Sequence, residues 1–214
     1  MNQKQKNPVG TRRQKQKEET QDIILESARL LFAELGFNRT TVRTVAKKAG
    51  VGLGTIFNHF PDKSSLLIAA LLDDLEKTQA KALKTLPPKA PVCEKFLHAA
   101  QIFYSYYARR PSLSRTLLKE MWFATGKWGE ELKTQKNQFI GFLTDSLKEA
   151  KKKGEIRPEA DCQLAAIAFF SHYMNTLFWG LSEPEFKPAE SIDLLRNLLN
   201  QTMEGIGTNQ TTSK

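Results

Sequence analysis

The sequence predicts an all-α chain of about nine helices, with a compact three-helix unit at the N-terminus and a larger helical domain behind it. Apolar residues recur at spacings of three and four nearly throughout, and no alternating stretch is long enough to make a strand. Glycine and proline fall between the periodic segments, where helices start and stop. With 214 residues, 40% of them hydrophobic, the chain has enough apolar side chains to build a core.

In chain order, residues 1–17 (MNQKQKNPVGTRRQKQK) are polar and basic and read as a flexible arm. A first helix is predicted over 18–35, with Ile24, Ala28, Leu31 and Leu35 on one stripe and Gly36 as a left-handed stop. Thr40 or Thr41 caps a short second helix, whose Val42, Val45, Ala46 and Ala49 share a face and whose terminator is Gly50. A third short helix runs to Phe60, and Asp62 or Ser64 caps a long fourth that Pro87 and Pro88 end. Further helices are expected at about 91–109, 112–123, 128–152, 159–180 and 188–204, divided by Pro111, the Gly126/Gly129 region, Gly154–Pro158 and Pro184–Pro188. Residues 206–214 read as a frayed tail. The chain thus divides into 1–17, 18–65, 66–205 and 206–214.

Composition narrows the function. Residues 1–65 hold 12 Lys/Arg against 6 Asp/Glu, whereas the remainder holds 20 against 17. Positive charge concentrated at one end predicts a polyanionic partner, because neutralising phosphates releases counterions. The N-terminus lacks the apolar run of a signal peptide and no later stretch suits a bilayer, so a cytoplasmic protein without membrane contact is expected. Cys93 and Cys162 lie far apart, and His59, His98 and His172 are scattered. No metal, no cofactor and no catalytic set is therefore expected.

The stretch AGVGLGTIFNHF (49–60), with Gly50, Gly52 and Gly54, invites comparison with phosphate-binding loops. It fails both tests: a helix rather than a strand precedes Gly50, Thr55 and Phe57 stand at the sixth positions, and no lysine follows Gly54. A helix-turn-helix fits, with Ala46 allowing close approach, Gly50 making the turn, and Val51 and Ile56 plugging the core. Its second helix would lie in a DNA major groove.

On these residues the segment 23–67 resembles the DNA-binding segment of TetR-family transcriptional regulators. The resemblance rests on Ala28, Leu31, Phe32, Gly36, Phe37, Thr40, Thr41, Ala46, Ala49, Gly50, Val51, His59, Phe60 and Lys63 at matching offsets. It implies that Thr41, Thr55, His59 and Lys63 hold phosphates, that Arg43, Leu53 and Asn58 reach base edges, and that Gly52 and Gly54 permit close approach. Arg43 is suited to a bidentate pair with guanine. Two positions depart from the pattern: Gly52 replaces a capping Ser/Thr, and Phe57, also on this surface, replaces a tyrosine whose hydroxyl could donate to phosphate. The basic run RRQKQK either follows a minor groove or adds nonspecific charge.

The larger domain resembles the family's effector domains in architecture and in the loop KKGEIRPEADCQLAA. Helix 159–180 is apolar nearly all round, so Phe169, Phe170, Tyr173 and Phe178, with Leu195, Leu198 and Leu199 of the last helix, form either a dimer interface or an intrachain core. A palindromic operator would require a dimer, so the interface is expected. Phe103, Tyr106, Tyr107, Met121, Trp122, Trp128 and Phe142 are candidate walls of a cavity for an amphipathic or aromatic small molecule. Glu120, an acid on an apolar stripe, either pairs with Arg109, Arg110 or Arg115 or serves that cavity. The expected function is a homodimeric, non-enzymatic repressor on a palindromic double-stranded DNA operator, released by a small effector. An effector-independent nucleoid or scaffold protein using the same DNA module is the alternative.

Overall fold

The computed structural model describes residues 9–205, which form nine helices and no strand. They are α1 (Val9–Arg39), α2 (Val42–Ala49), α3 (Leu53–His59), α4 (Lys63–Lys84), α5 (Val92–Ala108), α6 (Pro111–Trp122), α7 (Gly126–Lys152), α8 (Cys162–Ser182) and α9 (Pro188–Glu204). Residues 1–8 of the expected arm and the tail 206–214 lie outside the described residues.

The first helix is longer than expected, and residues 9–17 continue it instead of forming an arm. Pairs one turn apart support that extension: Gln14 Nε2 donates to Glu18 Oε1 at 2.7 Å, and Lys15 lies 4.0 Å from Glu19. Gly36 interrupts the helix with φ 77° and ψ 167°, a positive φ with extended ψ rather than the left-handed helical stop expected. The stripe also shifts at its end, for Leu35 is exposed and Phe32 is buried in its place.

Caps resolve the remaining boundaries. Thr41 caps α2, its Oγ1 accepting from Thr44 N at 3.0 Å while Thr44 Oγ1 accepts from Thr41 N at 3.0 Å. Thr40 is fully buried and donates to the carbonyls of Leu31 and Gly36, tying off the end of α1. Asp62 caps α4 through Ser65 N at 2.7 Å. At the head of α8, Asp161 accepts from Gln163 N and Leu164 N, so this helix begins after residue 161 rather than at 159.

One contiguous core runs from Ile24 to Leu199 and so joins the small unit to the large domain. The buried residues of α4, from Leu66 to Leu75, carry it across. In the large domain α8 packs against α7 on one side and α9 on the other. Tyr104 fastens α5 to α8: its ring stacks on Tyr173 at 5.4 Å, and its hydroxyl donates to Tyr173 O (3.0 Å) and lies 2.5 Å from Thr176 Oγ1. Burial drives this phenol's pKa far above 10.

Where α8 meets α9 the spacing demands glycine. A Cβ on Gly180 would stand 2.4 Å from Ser191 Oγ and 2.5 Å from the buried Phe186 ring. Gly180→Ala is expected to lower folding stability by about 1–3 kcal/mol through overpacking. A thermal melt unchanged from that of the parent would contradict this.

Candidate functional site

The helix-turn-helix forms as local chemistry dictates. Gly50 ends α2 at φ 67° and ψ 27°, and Val51 N donates to Ala46 O at 3.1 Å, closing a Schellman-type turn that only glycine enters without strain. Gly52 and Gly54 differ from Gly50. A Cβ at Gly52 would meet only Thr55 Oγ1 at 3.7 Å, and one at Gly54 nothing within 4 Å. Neither has a positive φ, so the fold itself does not require glycine at either position. Small residues there leave the exposed face of α3 open to close approach by a partner.

Ile56 and Phe60 anchor α3 from below, both fully buried with Val45 and Ala46 of α2. Opposite them the predicted contact residues Thr41, Arg43, Gly52, Leu53, Gly54, Phe57 and Asn58 are all exposed. Thr55 and His59 are half-buried. Phe57 is 48% exposed, a bare aromatic ring on a polar surface. Lys63 is half-buried, its Nζ 4.1 Å from the centre of the Phe37 ring. Burial lowers its pKa and the Glu120 charge partly opposes this.

His59 has a divided environment. Its Nδ1 is buried without a hydrogen-bond partner, and desolvation, then the charges of Lys17 and Lys127, hold its pKa below the usual 6.5. The imidazole is therefore neutral at pH 7, with one nitrogen available as a donor.

Glu120 pairs with none of the three arginines. It accepts from Ser64 Oγ at 2.5 Å, linking the end of α6 to the first turn of α4. Arg115 instead donates to the carbonyls of Leu181, in the last turn of α8, and of Glu183, just past its end. Arg109 and Arg110 line an open groove of about 390 Å³ with Asp74, Lys77 and Lys81. The short Ser64 hydroxyl, presented from α4, satisfies the carboxylate with less side-chain ordering than a long arginine would need.

A separate apolar cavity of about 90 Å³ opens between α4, α5, α6, α7 and α8. Of the expected wall residues, Phe103, Tyr107 and Met121 line it. The others lie elsewhere. Tyr106 faces the basic groove, Trp122 is 55% exposed with its ring edge-on to Phe178, Trp128 stacks on Phe60, and Phe142 borders a shallow hollow beside Val92. The remaining wall includes Leu132, Gln135 and Phe139 of α7, at the three-and-four spacing of a helical stripe. That spacing was the available signal, obscured by the polar residues within it. Gln135 Nε2 is buried with no partner.

Phe170 and Tyr173 also line this cavity, which corrects their placement at a dimer interface. Phe169 is buried edge-on against Phe96, and Leu195 and Leu199 are buried within the same chain. Among the expected interface residues Phe178 alone is exposed, while Leu198 is half-buried. The exposed apolar face of α8 lies a fraction of a turn away, at Leu164 (64%), Ile167, Phe178 and Trp179 (57%). Hydrophobicity on all sides of α8 left its rotation about its own axis undetermined.

Among the described residues no helix is long and apolar enough to cross a membrane. The profile of bacterial regulatory proteins of the tetR family matches residues 24–70. The HTH-type transcriptional repressor Rv1474c of Mycobacterium tuberculosis is 31% identical over 185 residues, 84% of this chain and 92% of that one. The HTH-type transcriptional regulator TtgR of Pseudomonas putida is 29% identical over 194 residues, 86% and 88% of the two chains. In three dimensions the chain is similar to the TetR-family repressor FadR of Thermus thermophilus in complex with lauroyl-CoA, with a TM-score of 0.71 at 19% identity over 91% of this chain and 98% of that one. With its helix-turn-helix intact and these relatives matched over nearly their full length, the chain belongs to the tetR family of bacterial regulatory proteins and is a DNA-binding transcriptional regulator.

Proposed function

We propose that the protein is a homodimeric repressor that holds a palindromic operator through α2 and α3 and releases it when an amphipathic small molecule enters the cavity. Thr41, Thr55, His59 and Lys63 take phosphates, while Arg43, Leu53 and Asn58 address base edges. Gly52, Gly54 and Phe57 form the surface against the groove. The observation that carries the DNA contact is the pair of glycines that the fold does not need, at the exposed start of α3.

The cavity supports the effector. Its walls are largely apolar, and the unpartnered Gln135 Nε2 calls for a ligand bearing a hydrogen-bond acceptor on an apolar body. A scaffold protein without an effector would have no use for this arrangement. Helix α4 begins with Lys63 and lines the cavity through Leu75, so occupancy can change the spacing of the two reading heads. The exposed α8 stripe of Leu164, Ile167, Phe178 and Trp179 suits a two-fold interface of like helices.

Selection of bound duplexes from a random pool tests the reading. A palindromic site is expected, and a reporter placed behind it should be silenced by the protein. Lauroyl-CoA, the ligand of the Thermus thermophilus relative, serves as first probe. It is expected to weaken operator binding, and operator to weaken lauroyl-CoA binding by the same factor. Enrichment of non-palindromic sites would overturn the dimer, and lauroyl-CoA affinity identical with and without operator would overturn release by such a ligand.

A further inference from the structure

We propose that the effector domain touches the operator directly: Lys127, at the start of α7, is a phosphate contact beside His59, and Trp128 positions it. The inference rests on the DNA-binding reading above.

The geometry begins at the end of the reading helix. Phe60 caps α3, one residue after His59, and is fully buried. The indole of Trp128 stacks on its ring at 5.5 Å with the planes 21° apart. Lys127 Nζ then lies 4.6 Å from the centre of the indole, in cation–π contact. The lysine is exposed and makes no ion pair among the described residues.

Its position is held from the other side as well. A Cβ on Gly129 would stand 2.4 Å from Ala124 O and 2.7 Å from its carbonyl carbon. The turn before α7 therefore folds onto the helix at a spacing that only glycine allows, and this sets where Lys127 emerges. Lys17, on the extended α1, is exposed and equally free of an ion pair among the described residues. The charges of both lysines lower the pKa of His59, after desolvation. Side chains of α3 and α7 thus meet at the end of the reading helix through the His59, Phe60, Trp128 and Lys127 contacts, and the charge of Lys17 bears on the same His59 ring. A line of phosphates has the complementary charge.

The arrangement gives the effector a short route to DNA. One turn after Trp128, the same helix lines the cavity through Leu132, and then through Gln135 and Phe139. A ligand that displaces α7 moves Lys127 off its phosphate even if α4 stays still.

The test uses the full-length protein and two duplexes of equal length, one random in sequence and one carrying the selected operator. Affinity is measured from about 50 to 200 mM salt. Each phosphate contact contributes about 0.9 to the slope of log K against log salt, so Lys127→Ala is expected to reduce a dimer's slope by about 2 on both duplexes. Lys84→Ala, at the far end of α4, is expected to leave the slope unchanged. Trp128→Leu is expected to reduce it as Lys127→Ala does. An unchanged slope for Lys127→Ala, or an equal fall for Lys84→Ala, overturns the proposal. Lys127→Ala decides the matter even if Trp128→Leu fails to fold. Parent protein that binds neither duplex overturns the DNA-binding reading itself, an outcome distinct from binding with an unaltered slope.

Discussion

Phe60→Ala is expected to cost about 3–5 kcal/mol of folding stability, the range for emptying a large aromatic from a core. The ring is fully buried, it closes the bottom of the three-helix unit beside Ile56, and its other face carries Trp128. Its backbone N–H donates to Ile56 O at 2.8 Å, so the residue also ends the reading helix. Removing the side chain leaves a cavity that two parts of the molecule share and neither can collapse into alone. Urea denaturation followed by circular dichroism measures the loss, and tryptophan emission should shift as the indole gains water. Phe60→Leu should lose much less. A loss below about 1 kcal/mol for the alanine variant would mean that the ring is not part of the joint core.

Arg43→Ala is expected to abolish preference at one base pair in each half-site, worth about 1–3 kcal/mol of discrimination, while leaving the fold intact. Arg43 is the second residue of α2, exposed, directly after the capped N-terminus at Thr41. It makes no ion pair among the described residues, so its guanidinium fork is available to a guanine edge. In the proposed dimer each half-site meets its own copy, so the effect should appear symmetrically in the selected sequences. Selection repeated with the variant checks this. Unchanged preference at every base would remove Arg43 from the reading surface.

These two variants separate what is legible in local sequence from what is not. Gly50 announced the turn, and Thr40 or Thr41 the cap, because each acts on backbone groups within a few residues; the structure has the turn at Gly50 and the cap at Thr41. The three-and-four spacing of Ile24, Ala28 and Leu31 likewise named a buried face correctly. Where the signal depended on contact between distant segments it failed. Trp128 read as a cavity wall because it lies among aromatics in sequence, yet its partner is Phe60, in another domain. Glu120 read as either half of an arginine pair or a residue of the cavity, but its partner is Ser64. On α8 an apolar residue on every side gave no rotational reference, and Tyr173 and Phe170 turned inward to the cavity while Leu164 and Trp179 stayed outside.

Helix content, the order of helices, the helix-turn-helix and the concentration of charge at one end follow from propensity, capping and periodicity, all of which act over a few residues. The location of the cavity, the unpartnered Gln135, the free face of α8 and the stacking of Lys127 on Trp128 and of Trp128 on Phe60 follow from packing. Those features depend on which surfaces of distant helices come into contact, and a helix's own periodicity says only that it has a buried face, not what that face will meet.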